Sequence, residues 1–236
     1  MNKIFIVGHR GAPVEAPENT LISFRKAVEI GVDFIELDLR QTLDGEIIIL
    51  HDATLDRTTN GSGRVSEKTF DEIRKLDAGG WFSPKFKGEM IPTLEEVLSE
   101  LGGRTRFILE LKVEGIEEKV VKQVCDMGLV DDTIILSGNW NILKRVKDID
   151  PRFTLFADMP VFSLKGLRKL VENYVNIVSY HISKAEDYMI DCAHIRGLLV
   201  NVWPVNTTKE AEKAIKLGVD FITTDDPRKI RKIVKV

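Results

Sequence analysis

Several short stretches place chemically able side chains at the ends of apolar runs. His9-Arg10-Gly11 follows Ile4 to Gly8, and His51-Asp52 follows Ile47 to Leu50. Glu36 and Asp38 lie in Gly31-Val32-Asp33-Phe34-Ile35-Glu36-Leu37-Asp38-Leu39, and Glu110 and Lys112 close Arg106-Phe107-Ile108-Leu109-Glu110-Leu111-Lys112. Residues two apart on a strand share a face, so Glu36 projects with Asp38, and Glu110 with Lys112. Paired carboxylates suit a hard cation, and the second pair adds a third oxygen ligand beside a fixed positive charge. Burying charge on strands this apolar costs about several kcal/mol unless the charge is paired or metal-bound. Two ordinary ion pairs would account for either pair alone. They account poorly for both pairs together with two histidines.

The elements that must position these residues are legible as short apolar strands alternating with amphipathic helices. Strands are expected at Ile4–Val7, Phe34–Leu39, Ile47–Leu50, Phe107–Leu111, Thr133–Leu136, Thr154–Phe156, Ile177–Ser179, Leu198–Val202 and Phe221–Thr223. Helical patterns cover Asn19–Ile30, Thr93–Leu101, Gly115–Met127, Trp140–Val146, Leu164–Glu172, Lys184–Cys192, Lys209–Leu217 and Pro227–Val234, with stops at Gly31, Gly128 and Gly218. With Phe34–Leu39 and Ile47–Leu50 taken as one bent strand or hairpin, about eight βα units fit, the number that closes a TIM (β/α)8 barrel. An open doubly wound sheet is the alternative, but no Gly-rich dinucleotide fingerprint follows the first strand. In a barrel, active residues gather at the C-terminal ends of strands, where His9, Glu36, Asp38, Glu110 and Lys112 fall.

One segment breaks the alternation. From Asp52 to Pro92 the chain carries Asn60-Gly61-Ser62-Gly63, a helix-like stretch Glu67–Leu76 and Gly79-Gly80-Trp81-Phe82, which is too long for an ordinary βα loop. Residues 1–236 thus read as a single barrel domain with a small inserted subdomain, 52–92, after the second strand region. Leaving directly from His51-Asp52, the insertion would sit over the mouth and shape substrate access. A surface elaboration without functional contact is the plainer alternative.

Composition narrows the class. The 236 residues are 43% hydrophobic with a formal net charge of -3, enough for one large domain and without the basic face of a nucleic-acid binder. No Lys/Arg run suggests a membrane surface. Cys125 and Cys192 are the only cysteines, with no metal-type spacing and no disulfide framework. The N-terminal apolar run is too short for a signal-peptide core, and no stretch approaches a membrane span, so a cytoplasmic protein is expected. The 30% charged content is compatible with a thermophilic source.

In order along the chain, His9-Arg10-Gly11, Pro17-Glu18-Asn19-Thr20, Gly31 through Asp38, Asp44-Gly45, His51-Asp52, Leu55-Asp56-Arg57-Thr58-Thr59-Asn60-Gly61 and Pro92-Thr93-Leu94-Glu95-Glu96-Val97-Leu98 carry a family likeness. Glu110-Leu111-Lys112, Val202-Trp203-Pro204-Val205-Asn206 and Gly218 through Pro227 continue it. The chain closely resembles the glycerophosphodiester phosphodiesterases over nearly its whole length. The resemblance implies a TIM barrel that hydrolyses glycerophosphodiesters to glycerol 3-phosphate and an alcohol. It further implies that Glu36, Asp38 and Glu110 hold a divalent cation, that His9 and His51 exchange protons, that Arg10 and Lys112 contact phosphate, and that Trp203 walls the glycerol side. Departures from the family pattern are Pro204 for threonine, Phe221 for glycine, and Ser137-Gly138-Asn139-Trp140 for Ser-Ser-Phe. All are expected at the barrel rim, where they bear on the leaving alcohol.

Chemistry supports these roles. A phosphodiester is an anion, so attack on phosphorus needs the charge neutralisation that a cation, Arg10 and Lys112 together supply. Arginine offers a planar fork to phosphate oxygens and lysine a point charge. Three carboxylates without cysteine favour calcium or magnesium, with manganese possible, over zinc. Two histidines can supply a base and an acid near neutral pH, with His9 the expected base and His51 the expected acid. His181 and His194 read as structural or solvated, Trp203 as partly core, and Asp225-Asp226-Pro227 as a helix cap before any phosphate role. Two rival classes stand beside hydrolysis. A phospholipase D-like or cyclising phosphodiesterase would release cyclic phosphate instead of glycerol 3-phosphate, and a catalytically dead binding module is opposed by the intact histidines and acids.

Overall fold

Strands form where apolar residues run without a polar break, the signature of parallel strands covered on both faces. In the computed structural model, which describes residues 3–234, they are β1 (Phe5–Gly8), β2 (Phe34–Gln41), β3 (Ile47–Ile49), β4 (Arg106–Leu111), β5 (Thr133–Ser137), β6 (Thr154–Asp158), β7 (Ile177–His181), β8 (Leu199–Trp203) and β9 (Phe221–Thr224). Helices fill the crossovers: α1 (Leu21–Ile30), α2 (Phe70–Ile73), α3 (Leu94–Leu101), α4 (Glu117–Asp126), α5 (Trp140–Ile149), α6 (Leu164–Glu172), α7 (Asp187–His194), α8 (Thr208–Leu217) and α9 (Pro227–Ile233). The sheet order is β1-β9-β8-β7-β6-β5-β4-β2, and β1 also pairs with β2 in parallel, which closes an eight-stranded barrel. The fold is a TIM barrel. β3 runs antiparallel to β2, so these two segments are a hairpin rather than one bent strand. Among the described residues no helix is long and apolar enough to cross a membrane.

Helix starts follow local capping chemistry. Thr20 accepts from the Ser23 N–H, and Thr93 and Thr207 form capping boxes with Glu96 and Glu210. Gly31 and Gly218 end α1 and α8 in the left-handed conformation. The Lys184–Cys192 pattern begins later than expected, at Asp187, because 182–186 are spent on a turn in which Lys184 and Ala185 donate to the His181 carbonyl.

Two apolar layers hold the barrel. Inside it, Val7, Phe34, Ile108, Ile134, Leu136, Phe156, Ile177 and Phe221 cluster, while Ile6, Ile35, Leu37, Leu109 and Val178 face the helices. Phe221 corrects one expectation. It opens β9 in register with Phe5 and packs 5.0 Å from the Phe5 ring and 5.7 Å from the Phe34 ring. All three begin their strands, so Phe221 plugs the N-terminal end of the barrel, opposite the rim.

Between β3 and α3 the chain builds its own small cluster from Ile48, Leu50, Leu55, Val65, Ile73, Ala78 and Ile91. Helical structure at the Glu67–Leu76 pattern is less than the pattern suggests: a 3-10 turn at Val65–Glu67 and four residues of α2, with a further 3-10 turn at Pro84–Phe86. Arg74 secures the segment, donating to both carboxylate oxygens of Glu96 and to the Ile91 carbonyl.

Candidate active site

β1 ends in a tight turn that aims His9 and Arg10 across the mouth. Arg10 has φ +54, uncommon for a residue with a side chain. Its N–H donates to Glu36 Oε2 at 2.9 Å, and its carbonyl accepts from the Asn19 N–H at 3.1 Å and Ser23 Oγ at 3.0 Å, which hold the conformation. At Gly11, φ is +95 and an added Cβ would lie 2.4 Å from Ser23 Oγ, so only glycine fits. His9 Nδ1 lies 2.6 Å from Asp225 Oδ1, and Asp225 Oδ2 accepts from Asn206 Nδ2 at 2.6 Å. This corrects the capping reading of Asp225: Asp226 alone caps α9, accepting from the Lys229 N–H, whereas Asp225 turns inward and fixes the ring that faces it.

Sheet register assembles the acids. Glu36 and Asp38 share a face of β2, and Asp38 stands opposite Glu110 on β4. One oxygen from each of the three carboxylates falls within 4.8 Å of the others. Asp38 is buried, receives Asn19 Nδ2 at 2.7 Å, and lies 3.2 Å from Arg10 Nε and 2.9 Å from Lys112 Nζ. Lys112 Nζ is also 2.7 Å from Glu110 Oε2. Burial opposes the charge on Asp38, but Lys112 and Arg10 outweigh it and bring its carboxyl down to about 2. Glu110 goes the other way, pushed up to about 7 by burial and by Asp38 despite Lys112. Burial, with repulsion from Asp38 and Glu110, also holds Glu36 well above the usual carboxylate range. Glu36 Oε1 is buried with no hydrogen-bond partner. Glu36 and Glu110 thus resist ionisation with only Arg10 and Lys112 to balance the cluster, and an oxygen-ligated divalent cation fits both that need for positive charge and the orphaned oxygen.

His51 lines the same cavity as His9. Both Nε and Nη2 of Arg40 donate to its carbonyl, at 2.9 and 2.6 Å, and its Nδ1 lies 2.6 Å from Asp52 Oδ1. Desolvation draws its imidazole below the usual range, against the pull of Asp38 and Asp52. In both histidines the carboxylate at Nδ1 leaves Nε2 for chemistry. Trp203 ends β8 with its ring 6.3 Å from His9 and 5.6 Å from His181.

The cavity at this end of the barrel is lined by His9, Arg10, Glu36, His51, Glu110, Lys112 and Trp203, with Asp38 directly behind them. It also holds Asp158, Ser179, Asn201 and Thr223, which sequence reasoning did not single out. Their signal is present only as polar residues inside strand-like runs, at 158, 179, 201 and 223. His194 does not line the cavity and instead bonds Asp220 at 2.9 Å.

A parallel barrel whose C-terminal mouth carries a carboxylate cluster, two fixed cations and two carboxylate-bound histidines offers the charge neutralisation and proton-transfer groups that hydrolysis of a phosphoric diester needs. The glycerophosphoryl diester phosphodiesterase family model matches residues 9–229. A glycerophosphodiester phosphodiesterase of Caldanaerobacter subterraneus subsp. tengcongensis is 36% identical, covering 99% of this chain and 98% of its own. A crystal structure of the enzyme from Agrobacterium tumefaciens superposes with a TM-score of 0.87 at 33% identity over 100% of both chains. An Oleispira antarctica phosphodiesterase in complex with the product sn-glycerol-3-phosphate superposes at 0.90 with 27% identity, covering 98% of this chain and 97% of that one. The chain belongs to the glycerophosphoryl diester phosphodiesterase family and is a hydrolase.

Proposed function

We propose that this protein hydrolyses glycerophosphodiesters to glycerol 3-phosphate and an alcohol, with one divalent cation held by Glu36, Asp38 and Glu110 and a proton-transfer pair in His9 and His51. The observation that carries the reading is the convergence of three carboxylates within 4.8 Å of one another beside Arg10 and Lys112. Calcium, magnesium or manganese suits the all-oxygen set. When bound, the cation neutralises phosphate charge and polarises the phosphoryl group.

The chain's own residues supply the rest. Arg10 forks onto phosphate oxygens and Lys112 adds a point charge. Trp203 walls the glycerol on the side of His9, while Asp158 and Ser179 offer hydrogen-bond partners for its hydroxyls. His9 Nε2 takes a proton from water as its oxygen bonds to phosphorus. The bond from phosphorus to the alcohol oxygen breaks, and His51 Nε2 gives that oxygen a proton. Desolvation works against an imidazolium at His51 in the free site, and an anionic phosphate beside it favours one. The segment 52–92 is an insertion in one barrel domain, and it shapes access from the side of His51. The substrates are dissolved small molecules met in the cytoplasm.

Assay of several glycerophosphodiesters with detection of glycerol 3-phosphate tests the reading. Chelation is expected to abolish turnover, and calcium, magnesium or manganese to restore it. Full activity in a chelated, metal-free preparation, or cyclic phosphate as the final product, would overturn it.

A further inference from the structure

Arg57 stands at the start of the segment after β3, its side chain 43% exposed, and its guanidinium makes four hydrogen bonds to two carboxylates. Nε and Nη2 donate to Asp52 Oδ2 and Oδ1 at 2.7 and 3.1 Å. Nη1 and Nη2 donate to Glu18 Oε2 and Oε1 at 2.9 and 2.8 Å. Each carboxylate in turn grips one functional side chain. Asp52 Oδ1 meets His51 Nδ1 at 2.6 Å, and Glu18 Oε1 accepts from Arg10 Nη1 at 2.8 Å. A single planar fork thus joins His51 to Arg10 through two carboxylates.

We propose that Arg57 is a positioning residue that locks His51 and Arg10 into one unit through Asp52 and Glu18. The proposal rests on the roles given above to His51 and Arg10. An exposed ion pair contributes little to stability, and four directed bonds from one guanidinium are better suited to fixing geometry. Glu18 is only 12% exposed, and burial opposes its charge, which Arg57 and Arg10 sustain. Its Oε1 is shared by both guanidiniums, so the two arginines hold each other in register through that oxygen. Asp52 is kept ionised chiefly by Arg57 and secondarily by His51. Without Arg57 the Asp52 carboxylate can rotate, and the half-exposed His51 ring turns with it. A lysine can meet one of the two carboxylates but lacks the fork that reaches both.

The test compares Arg57→Gln, Arg57→Lys, Asp52→Asn and the double variant Arg57→Gln/Asp52→Asn on a glycerophosphodiester with an alkyl leaving group. Misplacement of reacting groups by about 1 Å costs on the order of 100-fold, so kcat in Arg57→Gln is expected to fall roughly 10- to 100-fold, by a larger factor than KM rises. Arg57→Lys should recover only part of that loss. The double variant should be about as impaired as the worse single one, because both substitutions break the same chain of contacts. A kcat within about twofold of wild type in folded Arg57→Gln, or independent multiplication of the two losses, would overturn the role. Should Arg57→Gln fail to fold, Arg57→Lys decides, and full kcat there also overturns it. His51→Ala and Arg10→Ala, measured alongside, separate the two levels. Unimpaired activity in them defeats the site assignment itself, whereas impaired activity there with normal Arg57 variants defeats only the role of Arg57.

Discussion

Glu36, Asp38 and Glu110 are chemically alike and electrically unlike. Asp38 is matched by two cations and an amide, whereas Glu36 has a bare oxygen and Glu110 shares one lysine. Two residue-scale predictions concern their neighbours. Charge-assisted contacts to phosphate contribute about 2–3 kcal/mol, so Arg10→Ala and Lys112→Ala should each lower kcat/KM by roughly 30- to 160-fold. Arg10→Lys should not rescue fully, because the fork is lost; near wild-type kcat/KM in both alanine variants would refute a phosphate role. The histidines separate by leaving group. An aryl alcohol departs as a stable anion, so His51→Ala should be strongly impaired on alkyl diesters yet partly spared on an aryl diester, while His9→Ala should be impaired on both. The opposite pattern would exchange acid and base. Spacing made the acids and Lys112 legible, since residues two apart on a strand share a face, and position at the ends of apolar runs marked both histidines and Arg10. Neither could show Asp225 beside His9, a contact across 216 positions, or Arg57 on Glu18 across 39. Those depend on barrel closure and on how a loop folds back, which local periodicity does not encode.

At the scale of elements, β2 and β4 do the assembling. Their register, Asp38 against Glu110, turns two separate sequence motifs into one cluster. α3 anchors the segment that precedes it. Thr93 and Glu96 cap one another there, and Glu96 also receives Arg74 from beside α2. Thr93→Ala should cost about 1 kcal/mol in unfolding free energy. Burial opposes the charge on Glu96, but the Thr93 N–H and Arg74 outweigh it and hold its carboxyl below the usual range. A carboxyl depressed in the folded state stabilises above its unfolded pKa and loses that contribution as pH falls through its folded one. Thermal unfolding between pH 5 and 3 should therefore decline less steeply in Glu96→Gln than in the parent, and identical slopes would contradict this. Strand positions were readable because apolar runs are short and bounded, whereas the helix content of 52–92 was overestimated. Glu67–Leu76 has helical spacing, but Lys68 and Thr69 hold extended backbone, which leaves Glu67 in a 3-10 turn and only Phe70–Ile73 α-helical.

Across the whole molecule, stability and chemistry occupy opposite ends of the barrel. Phe5, Phe34 and Phe221 seal the N-terminal end, far from the mouth along the strands. Phe221→Ala should cost about 3–5 kcal/mol by denaturant unfolding, with kcat/KM of the folded fraction little changed. A large kinetic defect in well-folded Phe221→Ala would show that the two ends are coupled.

The bond between His9 and Asp225 spans the barrel seam, where β1 meets β9. During translation at roughly 5–20 residues per second, the 216 positions between them are about 10 to 40 s apart. His9 leaves the ribosome early and waits for the carboxylate that will orient it. His9 therefore gains the carboxylate that orients it only when the last βα unit docks against β1. With His9 in its proposed role, turnover is expected only from a barrel whose seam has closed.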